Sequence, residues 1–353
     1  MPDQDSLPTT RRTFRRTDDF TPGTPKVQLI SDETIKYPLD PYSVLIKVHA
    51  IALNYRDANI ANGGNPWPVT PHGIPCNDAC GTIISIGSNV TTLKIGDRVA
   101  PIIDTENLTG QETKRSWLAA DEDGVLADYL VFDEKKVSKL PSYLDDVQAS
   151  IIPCAGTTAW AALKGLEVGK SVLIQGTGGV SMFALKLAKV MGLKIILTSS
   201  SDEKLEEVRR KFGSGIETIN YRTNAEWHEE VMKLTNGVGV DCVVEVGGAT
   251  SLIKSMKCTR RGGIVSVVGY LSGKQEVPGF AEEFLSVVID RRVNVRGINA
   301  DSKQGLDDLC AALEANQLYF DDIIDSVMPF EKAEEAIERV WQGKVVGKLV
   351  LKV

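Results

Sequence analysis

The chain has 353 residues, of which 42% are hydrophobic and 25% are charged, a composition typical of a globular protein with room for two domains. A formal net charge of −7 disfavours nucleic acid as a partner, because phosphate binding requires a basic face. No apolar run approaches the roughly 18 to 20 residues that span a bilayer, so we expect no membrane partner. The N-terminus lacks the apolar stretch of a secretory signal, and the six scattered cysteines indicate reduced thiols in the cytoplasm.

The first 150 residues are predicted to form a small barrel-like β domain. Apolar runs at Val44–Ala52 and Gly81–Ile86 predict two strands, and a glycine turn precedes a third strand at Arg98–Ala100. The segment Asp104–Gly124 is polar and has no clear periodicity, so we expect it to be a surface excursion.

Strands and helices alternate after Ile151, which predicts an α/β region built on a doubly wound parallel sheet. The predicted helices are 156–166, Val180–Met191, Asp202–Phe212, Ala225–Leu234 and Thr250–Lys257. The predicted strands are one that begins at Ser171, then Leu193–Thr198, Glu217–Ile219, Asp241–Val246 and Gly263–Val268. After Asn299 the pattern predicts two helices and a last strand that returns to the first domain: Lys303–Asn316, Glu331–Gln342 and Lys348–Val353.

The most informative stretch is the glycine turn between the strand at Ser171 and the helix Val180–Met191. Its layout is that of a dinucleotide-binding βα turn, with Ser181 in place of the third glycine. Glycines let the backbone approach a pyrophosphate, and the helix N-terminus offers unpaired N–H groups to it. A plain glycine turn in an α/β protein is the alternative. We predict that the dinucleotide is held by Gly176, Thr177, Gly178, Gly179 and Val180.

Four motifs resemble those of the medium-chain dehydrogenase/reductase superfamily, in particular its quinone oxidoreductase branch. They are the substrate-loop motif at 52–57, the β-barrel signature at 81–99, the junction helix at 153–160 and the glycine turn at 176–181. The resemblance implies a Rossmann dinucleotide-binding domain at 156–299 and a GroES-like β-barrel catalytic domain formed by 1–155 and 300–353. It also implies a homodimer, paired near Gly263–Val268 and Asn294–Gly297.

The end of the second strand of the α/β region predicts which nicotinamide cofactor binds. NAD-preferring sheets carry an acidic residue there, whereas this strand is followed by Ser199, Ser200 and Ser201. Hydroxyls can donate to a 2′-phosphate, and Lys204 adds a positive charge beside them. One serine is expected to cap the next helix, and the rest of the pattern favours NADP(H).

The superfamily resemblance also bears on zinc. Zinc-dependent members bind the catalytic metal with a Cys, a His and a second Cys or Asp, and these positions fall on Asn54, Asn77 and Cys154. Asp78 takes the place of the acidic neighbour of the His. A neutral carboxamide is a poor zinc ligand, and Asp104–Gly124 lacks the four cysteines of a structural zinc lobe. We therefore expect no metal.

The resemblance implies a catalytic cluster of Asn54, Tyr55 and Arg56. Asn54 through its amide or Tyr55 through its phenol would polarise a carbonyl oxygen, unless Tyr55 is only a packing aromatic. Arg56 stands where a proton-relay hydroxyl begins in zinc alcohol dehydrogenases, so that relay is absent. An apolar substrate pocket of Trp67, Trp117 and Tyr270 is implied, against core or surface roles for the same residues. The other implied cofactor contacts are Thr158, Tyr221, Gly247, Val268, Asn299 and Lys348.

These features predict a zinc-free, NADPH-dependent oxidoreductase that transfers hydride to an activated C=C bond or a quinone. The first alternative is a zinc-free carbonyl reductase or alcohol dehydrogenase. The second is a non-catalytic NADPH-binding protein. The predicted partner in the first two cases is a small-molecule substrate.

Overall fold

The computed structural model describes residues 7–271 and 276–353. These residues divide into two compact units, which we call the first and the second unit. The first is the described part of Met1–Thr157 together with Ala300–Val353, and the second is the described part of Thr158–Asn299. No helix among the described residues combines the length and the apolar character that crossing a lipid bilayer requires.

The elements are numbered in chain order. The strands are β1 (Thr10–Arg16), β2 (Val27–Thr34), β3 (Ser43–Ala52), β4 (Asp78–Ile86), β5 (Arg98–Pro101), β6 (Tyr129–Asp133), β7 (Val137–Lys139), β8 (Ser171–Gln175), β9 (Lys194–Ser199), β10 (Ile216–Asn220), β11 (Val240–Glu245), β12 (Thr259–Val267), β13 (Asn294–Gly297), β14 (Ile324–Pro329) and β15 (Lys348–Lys352). The helices are α1 (Tyr55–Ala61), α2 (Asp146–Ala149), α3 (Thr157–Leu163), α4 (Gly179–Val190), α5 (Asp202–Phe212), α6 (Trp227–Leu234), α7 (Ala249–Lys257), α8 (Phe280–Arg291), α9 (Lys303–Asn316) and α10 (Ala333–Trp341).

The first unit is built on a seven-stranded sheet. Strands follow in the order β14-β15-β3-β4-β5-β7, β6 also pairs with β3, and β1 pairs with β2 in a separate sheet. Strand β3 is an almost continuous apolar run that is buried along most of its length. On β4, a Cβ at Gly81 would lie 2.4 Å from the carbonyl oxygen of Lys47, so only glycine allows this close approach of β3 and β4.

The register of this sheet brings three chain segments to one end of β3. Antiparallel pairing sets Asp78 on β4 and Val350 on β15 opposite Ala52, the last residue of β3. The chain then turns into α1, with Asn54 as its N-cap. Asn54, Asp78 and the start of β15 at Lys348 therefore meet at the same end of the sheet.

The second unit is a six-stranded parallel sheet in the order β10-β9-β8-β11-β12-β13. The strand order reverses between β8 and β11, which is the doubly wound arrangement that the alternating pattern predicts. Leu173, Val243 and Val265 on the central strands are completely buried. In such sheets, ligands bind outside the carboxyl ends of the strands at this reversal point.

Several predicted elements differ from the structure. The segment Asp104–Gly124 is not a surface excursion throughout, because Leu118 and its two following residues are at most 2% exposed. Isolated backbone bridges and hydrogen bonds from distant side chains hold it in place of regular strands, so its sequence has no periodic pattern. The helix expected at 156–166 is a π-helical turn at Ile152–Gly156 followed by α3, which ends at Leu163. Helix α8 was missed, although Phe280, Phe284, Val287 and Val288 form an apolar stripe at helical spacing that packs, partly buried, against the core of the second unit.

Candidate functional site

The glycine turn of the second unit has the geometry of a phosphate-binding loop. Strand β8 ends at Gln175, Gly176 follows with a φ of 76°, and Gly178 is the N-cap of α4. No side-chain hydrogen bond caps α4 among the described residues, and a Cβ at Gly178 would meet nothing within 4 Å. The N-terminus of α4 is therefore uncapped by side chains, as expected of a helix N-terminus that binds a pyrophosphate.

Ser181 shows why the third glycine of the motif is dispensable here. Its side chain is 3% exposed, and its hydroxyl donates to the carbonyl oxygen of Gln175 at 2.6 Å. The hydroxyl ties the first turn of α4 to the end of β8 and does not point out of the turn. Thr177 is buried, whereas Gly178 is exposed and Gly179 and Val180 are half-buried.

The structure separates the roles of the serines after β9. Ser201 is the N-cap of α5 and accepts a hydrogen bond from the backbone N–H of Lys204. The Ser199 hydroxyl accepts the N–H of Ser201, and the Ser199 carbonyl accepts the N–H of Tyr221 at 3.0 Å. Ser201 is therefore the one of these serines that caps the helix. Ser200, which is half-buried, lies between Ser199 and Ser201, whose hydroxyls both accept backbone hydrogen bonds. Ser199, Ser200, Lys204 and exposed Tyr221 thus meet at the carboxyl ends of β9 and β10.

The other expected cofactor residues of the second unit have different surroundings. Gly247 follows β11, and its N–H donates to the Glu245 carboxylate at 2.8 Å. Val268 follows β12, and its N–H donates to the Glu245 carbonyl at 2.8 Å. Thr158 is 5% exposed, and Asn299 is exposed at the end of the unit.

In the first unit, the positions that bind catalytic zinc in related enzymes converge on Asp78. The carboxylate of Asp78 accepts hydrogen bonds from the Asn54 amide at 2.9 Å, the Cys154 N–H at 2.5 Å and the Lys348 ammonium at 3.0 Å. The Asp78 side chain is 0% exposed and that of Lys348 is 1% exposed. A buried ion pair therefore occupies the centre of this cluster.

The ammonium of Lys348 also fixes the orientation of Asn54. It donates to Asn54 Oδ1 at 2.7 Å, so the Asn54 Nδ2 group must face away from it. Both hydrogens of Nδ2 are then donated inside the cluster, to Asn77 at 3.1 Å and to Asp78. The expected role of the Asn54 amide as a donor to substrate is therefore wrong for this geometry, because no N–H of the amide is left.

The surroundings of Lys348 also differ from those expected of a cofactor contact. Its ammonium has two partners within the first unit, and its side chain is almost fully buried, so no surface is left for the expected cofactor contact. Sequence reasoning did not predict this ion pair, because it joins residues 270 positions apart.

Asp57 stabilises the start of α1, and Arg56 connects this helix to the segment that contains Leu118. Asp57 accepts the Asn54 N–H at 2.8 Å, and burial raises the pKa of its carboxyl group to about 6. The Arg56 guanidinium donates to the Leu118 carbonyl at 2.8 Å. A second guanidinium nitrogen of Arg56 is buried and has no partner among the described residues.

Tyr55 is the exposed member of the expected catalytic cluster. It is 41% exposed, its ring stacks on Trp341 with centroids 6.3 Å apart, and burial raises the pKa of its phenol. None of the described residues forms a hydrogen bond with its hydroxyl. The phenol is thus the protonated donor that this cluster presents. Trp341 ends α10 and was not predicted as a site residue.

The aromatic residues expected in a substrate pocket separate into two groups. Trp67 and Trp117 of the first unit meet edge to face with centroids 5.3 Å apart, and the Arg115 guanidinium lies 3.8 Å from the Trp117 ring. Tyr270 belongs to the second unit, where it follows β12 and is half-buried. The structure therefore groups two of the three residues.

The donor set at the zinc positions does not suit zinc. Asn54 and Asn77 offer neutral carboxamides, which are poor zinc ligands. The carboxylate of Asp78, the anionic side chain among these residues, is already paired with the ammonium group of Lys348. Among the described residues, a different group of potential metal ligands, Glu226, His228 and Glu229, lies at the start of α6, where Glu226 pairs with Lys254.

Comparison with known proteins identifies the family. Residues 40–142 match the alcohol dehydrogenase GroES-like domain, and residues 179–314 match the zinc-binding dehydrogenase family. A zinc-type alcohol dehydrogenase-like protein of Schizosaccharomyces pombe is 36% identical over 89% of this chain and 92% of its own length. The chain belongs to the medium-chain dehydrogenase/reductase superfamily. It is an oxidoreductase of the kind that uses a nicotinamide cofactor, with a Rossmann and a GroES-like domain.

Relatives in the quinone oxidoreductase branch match along the whole chain. Human quinone oxidoreductase is 28% identical over 98% of this chain and 99% of its own length. The solved structure of the quinone oxidoreductase from Coxiella burnetii has a TM-score of 0.72 at 26% identity, covering 97% of this chain and 99% of that one. The predicted resemblance is confirmed at the level of the superfamily.

Proposed function

We propose that this oxidoreductase is a zinc-free, NADPH-dependent reductase that transfers hydride to an activated C=C bond or a quinone. The observation that carries the proposal is the cluster at the zinc positions. Two carboxamides surround a buried ammonium–carboxylate pair, and neutral carboxamides are poor zinc ligands. Similarity to quinone oxidoreductases supports the same function.

NADP(H) is the proposed cofactor. The uncapped N-terminus of α4 at Gly178 suits the pyrophosphate, and Ser199 replaces the carboxylate that would bind the ribose of NAD. Ser200, Lys204 and Tyr221 lie at the same end of the sheet and supply hydroxyl donors and a positive charge for a 2′-phosphate. The bound nucleotide would supply the hydride.

The residues of the first unit determine which acceptors are suitable. Reducing an isolated ketone places a full negative charge on one oxygen, a charge that a Lewis-acid metal stabilises well. Here the exposed phenol of Tyr55 is a neutral donor, and removing one such donor typically costs about 3–4 kcal/mol in comparable oxyanion sites. An enone or quinone delocalises the incoming charge, so a single phenol and a proton from solvent are enough.

A change at Tyr55 tests this proposal. Tyr55→Phe keeps the ring that stacks on Trp341 and removes the donor, so we expect kcat with an enone or quinone to fall about tenfold or more. NADPH binding should change little. Tyr42→Phe is the matched control, because Tyr42 is also exposed in the first unit. Equal loss in both variants, or unchanged kcat in Tyr55→Phe, would contradict the role of the phenol.

Carbonyl reduction is the second candidate, favoured by the alcohol dehydrogenases among the relatives. One of them, from Geobacillus stearothermophilus, is 31% identical over 88% of this chain.

We also propose that the enzyme is a cytoplasmic homodimer with a small-molecule substrate. Six free cysteines support a reducing compartment, and β13 at the edge of the parallel sheet supports pairing of two copies.

A further inference from the structure

The buried carboxylate of Glu245 lies beneath the nucleotide end of the second unit. Glu245 is the last residue of β11 and is 0% exposed. Its Oε1 accepts hydrogen bonds from the N–H of Gly247 at 2.8 Å, the N–H of Gly248 at 3.0 Å and the Ser251 hydroxyl at 2.5 Å. A carboxylate with this many donors is held in one position, and so is the loop that supplies them.

Gln175 completes this arrangement from the neighbouring strand. It is the last residue of β8, and its amide donates to Glu245 Oε2 and to the Ser255 hydroxyl, each at 2.7 Å. Its carbonyl oxygen accepts the N–H groups of Val246 at 3.1 Å and Gly247 at 3.3 Å. The two side chains therefore bridge β8 and β11, the two strands between which the sheet order reverses.

The Glu245 carboxylate also bears on which helix N-termini are open to an anion. At α7, the N–H groups of Gly247 and Gly248 bind the Glu245 carboxylate, and at α5 the cap is Ser201. Only α4, of these three helices, has neither a side-chain cap nor an internal carboxylate at its first turn. Of these three N-termini, that of α4 is therefore the one at which we expect the dinucleotide phosphates to bind.

The network requires glycine at position 247. A Cβ at Gly247 would lie 2.2 Å from the Ser251 hydroxyl and 3.2 Å from Glu245 Oε1. Any side chain there would push apart the groups that hold the loop.

We propose that Gln175 and Glu245 are positioning residues for the dinucleotide: together they fix the loop 246–248 and reserve the N-terminus of α4 for the pyrophosphate. This inference rests on the proposed nucleotide site and not on the proposed substrate. Glu245 is too deeply buried to touch the nucleotide and acts through the backbone of the loop.

An exchange of the two side chains tests the proposal. In Glu245→Gln, an N–H₂ group faces either Gln175 or the loop N–H groups, and in Gln175→Glu two carboxylates face each other. Each single variant should raise the Kd for NADPH about tenfold or more, as expected when a charge-assisted hydrogen bond is lost. The double variant Gln175→Glu/Glu245→Gln restores one amide and one carboxylate, so its Kd should return to within about threefold of the wild type.

Binding is measured by titrating the whole protein with NADPH and following nucleotide fluorescence, with the fold checked by circular dichroism. Ser251→Ala, which removes one donor to Glu245, should weaken binding about two- to fivefold and keeps the test valid if a Glu245 variant does not fold. Lys257→Ala, at the far end of α7, is the control that should bind as the wild type does. Folded single variants with wild-type Kd, or an exchanged variant no better than the singles, would overturn the proposal. Because no substrate is used, a failure to reduce enones refutes the proposed reaction separately.

Discussion

Removing one partner of the Asp78–Lys348 ion pair should destabilise the first unit strongly. Both side chains are at most 1% exposed, and the Lys348 ammonium lies 3.0 Å from the Asp78 carboxylate. Breaking a pair of this kind leaves an uncompensated buried charge, which typically costs about 3–5 kcal/mol. We expect Asp78→Asn and Lys348→Met each to lower the free energy of unfolding by about this amount, because water cannot reach the charge that is left.

The double variant separates the ion pair from other effects. Asp78→Asn/Lys348→Met removes both charges, and neutral replacements of buried pairs are often tolerated, so it should recover about 2 kcal/mol or more relative to either single variant. Unfolding is followed by tryptophan fluorescence in urea. Lys303→Ala is the control, because it breaks an exposed pair with Asp307 and should cost at most about 1 kcal/mol. Single variants that lose less than about 1 kcal/mol, or additive losses in the double variant, would refute the burial argument.

The remaining predictions concern the cofactor, the metal and the assembly. Lys204→Ala should raise the Kd for NADPH about tenfold and leave the Kd for NADH nearly unchanged. Lys211→Ala, at the other end of α5, is the control. Equal affinities of the wild type for NADH and NADPH would contradict the cofactor assignment. Elemental analysis should find no stoichiometric zinc, and activity should survive a strong chelator; loss of activity on removing one metal ion per chain would refute the zinc-free site. Light scattering at micromolar concentration should show a dimer, and a stable monomer would exclude pairing through the β13 edge.

Much of the second unit could be predicted because its signals are local. The glycine turn lies between β8 and α4 as expected, and helix Asp202–Phe212 has the predicted bounds. One serine was expected to cap this helix, and the structure shows that Ser201 does so. These features depend on residues that are close in sequence, so backbone preference and capping chemistry are enough to predict them.

The centre of the first unit could not be predicted in the same way. The motif resemblance placed Asn54, Asn77 and Asp78 together, but the hydrogen bonds of Lys348 depend on the register of β15 against β3. A register between strands about 300 positions apart leaves no sign in the sequence. The Asn54 amide was therefore expected to face a substrate, although it is consumed within the cluster.

A buried charged residue is a signal that was passed over in the sequence. Glu245 lies in the predicted apolar strand Asp241–Val246, and an acidic residue there requires several hydrogen-bond donors if it is buried. Its partner Gln175 is 70 positions away and would not have been found from spacing. Helix α8 was also missed, although its apolar residues Phe280, Phe284 and Val288 recur at helical spacing and pack against the core.

The proposed reaction is tested most directly by matched pairs of acceptors, each an enone and its saturated ketone, assayed with NADPH under identical conditions. In the proposed zinc-free site no metal stabilises a localised oxyanion, so we predict that each enone is reduced faster than its saturated partner. Faster turnover of the saturated ketones would contradict double-bond reduction and leave the zinc-free carbonyl reductase in its place.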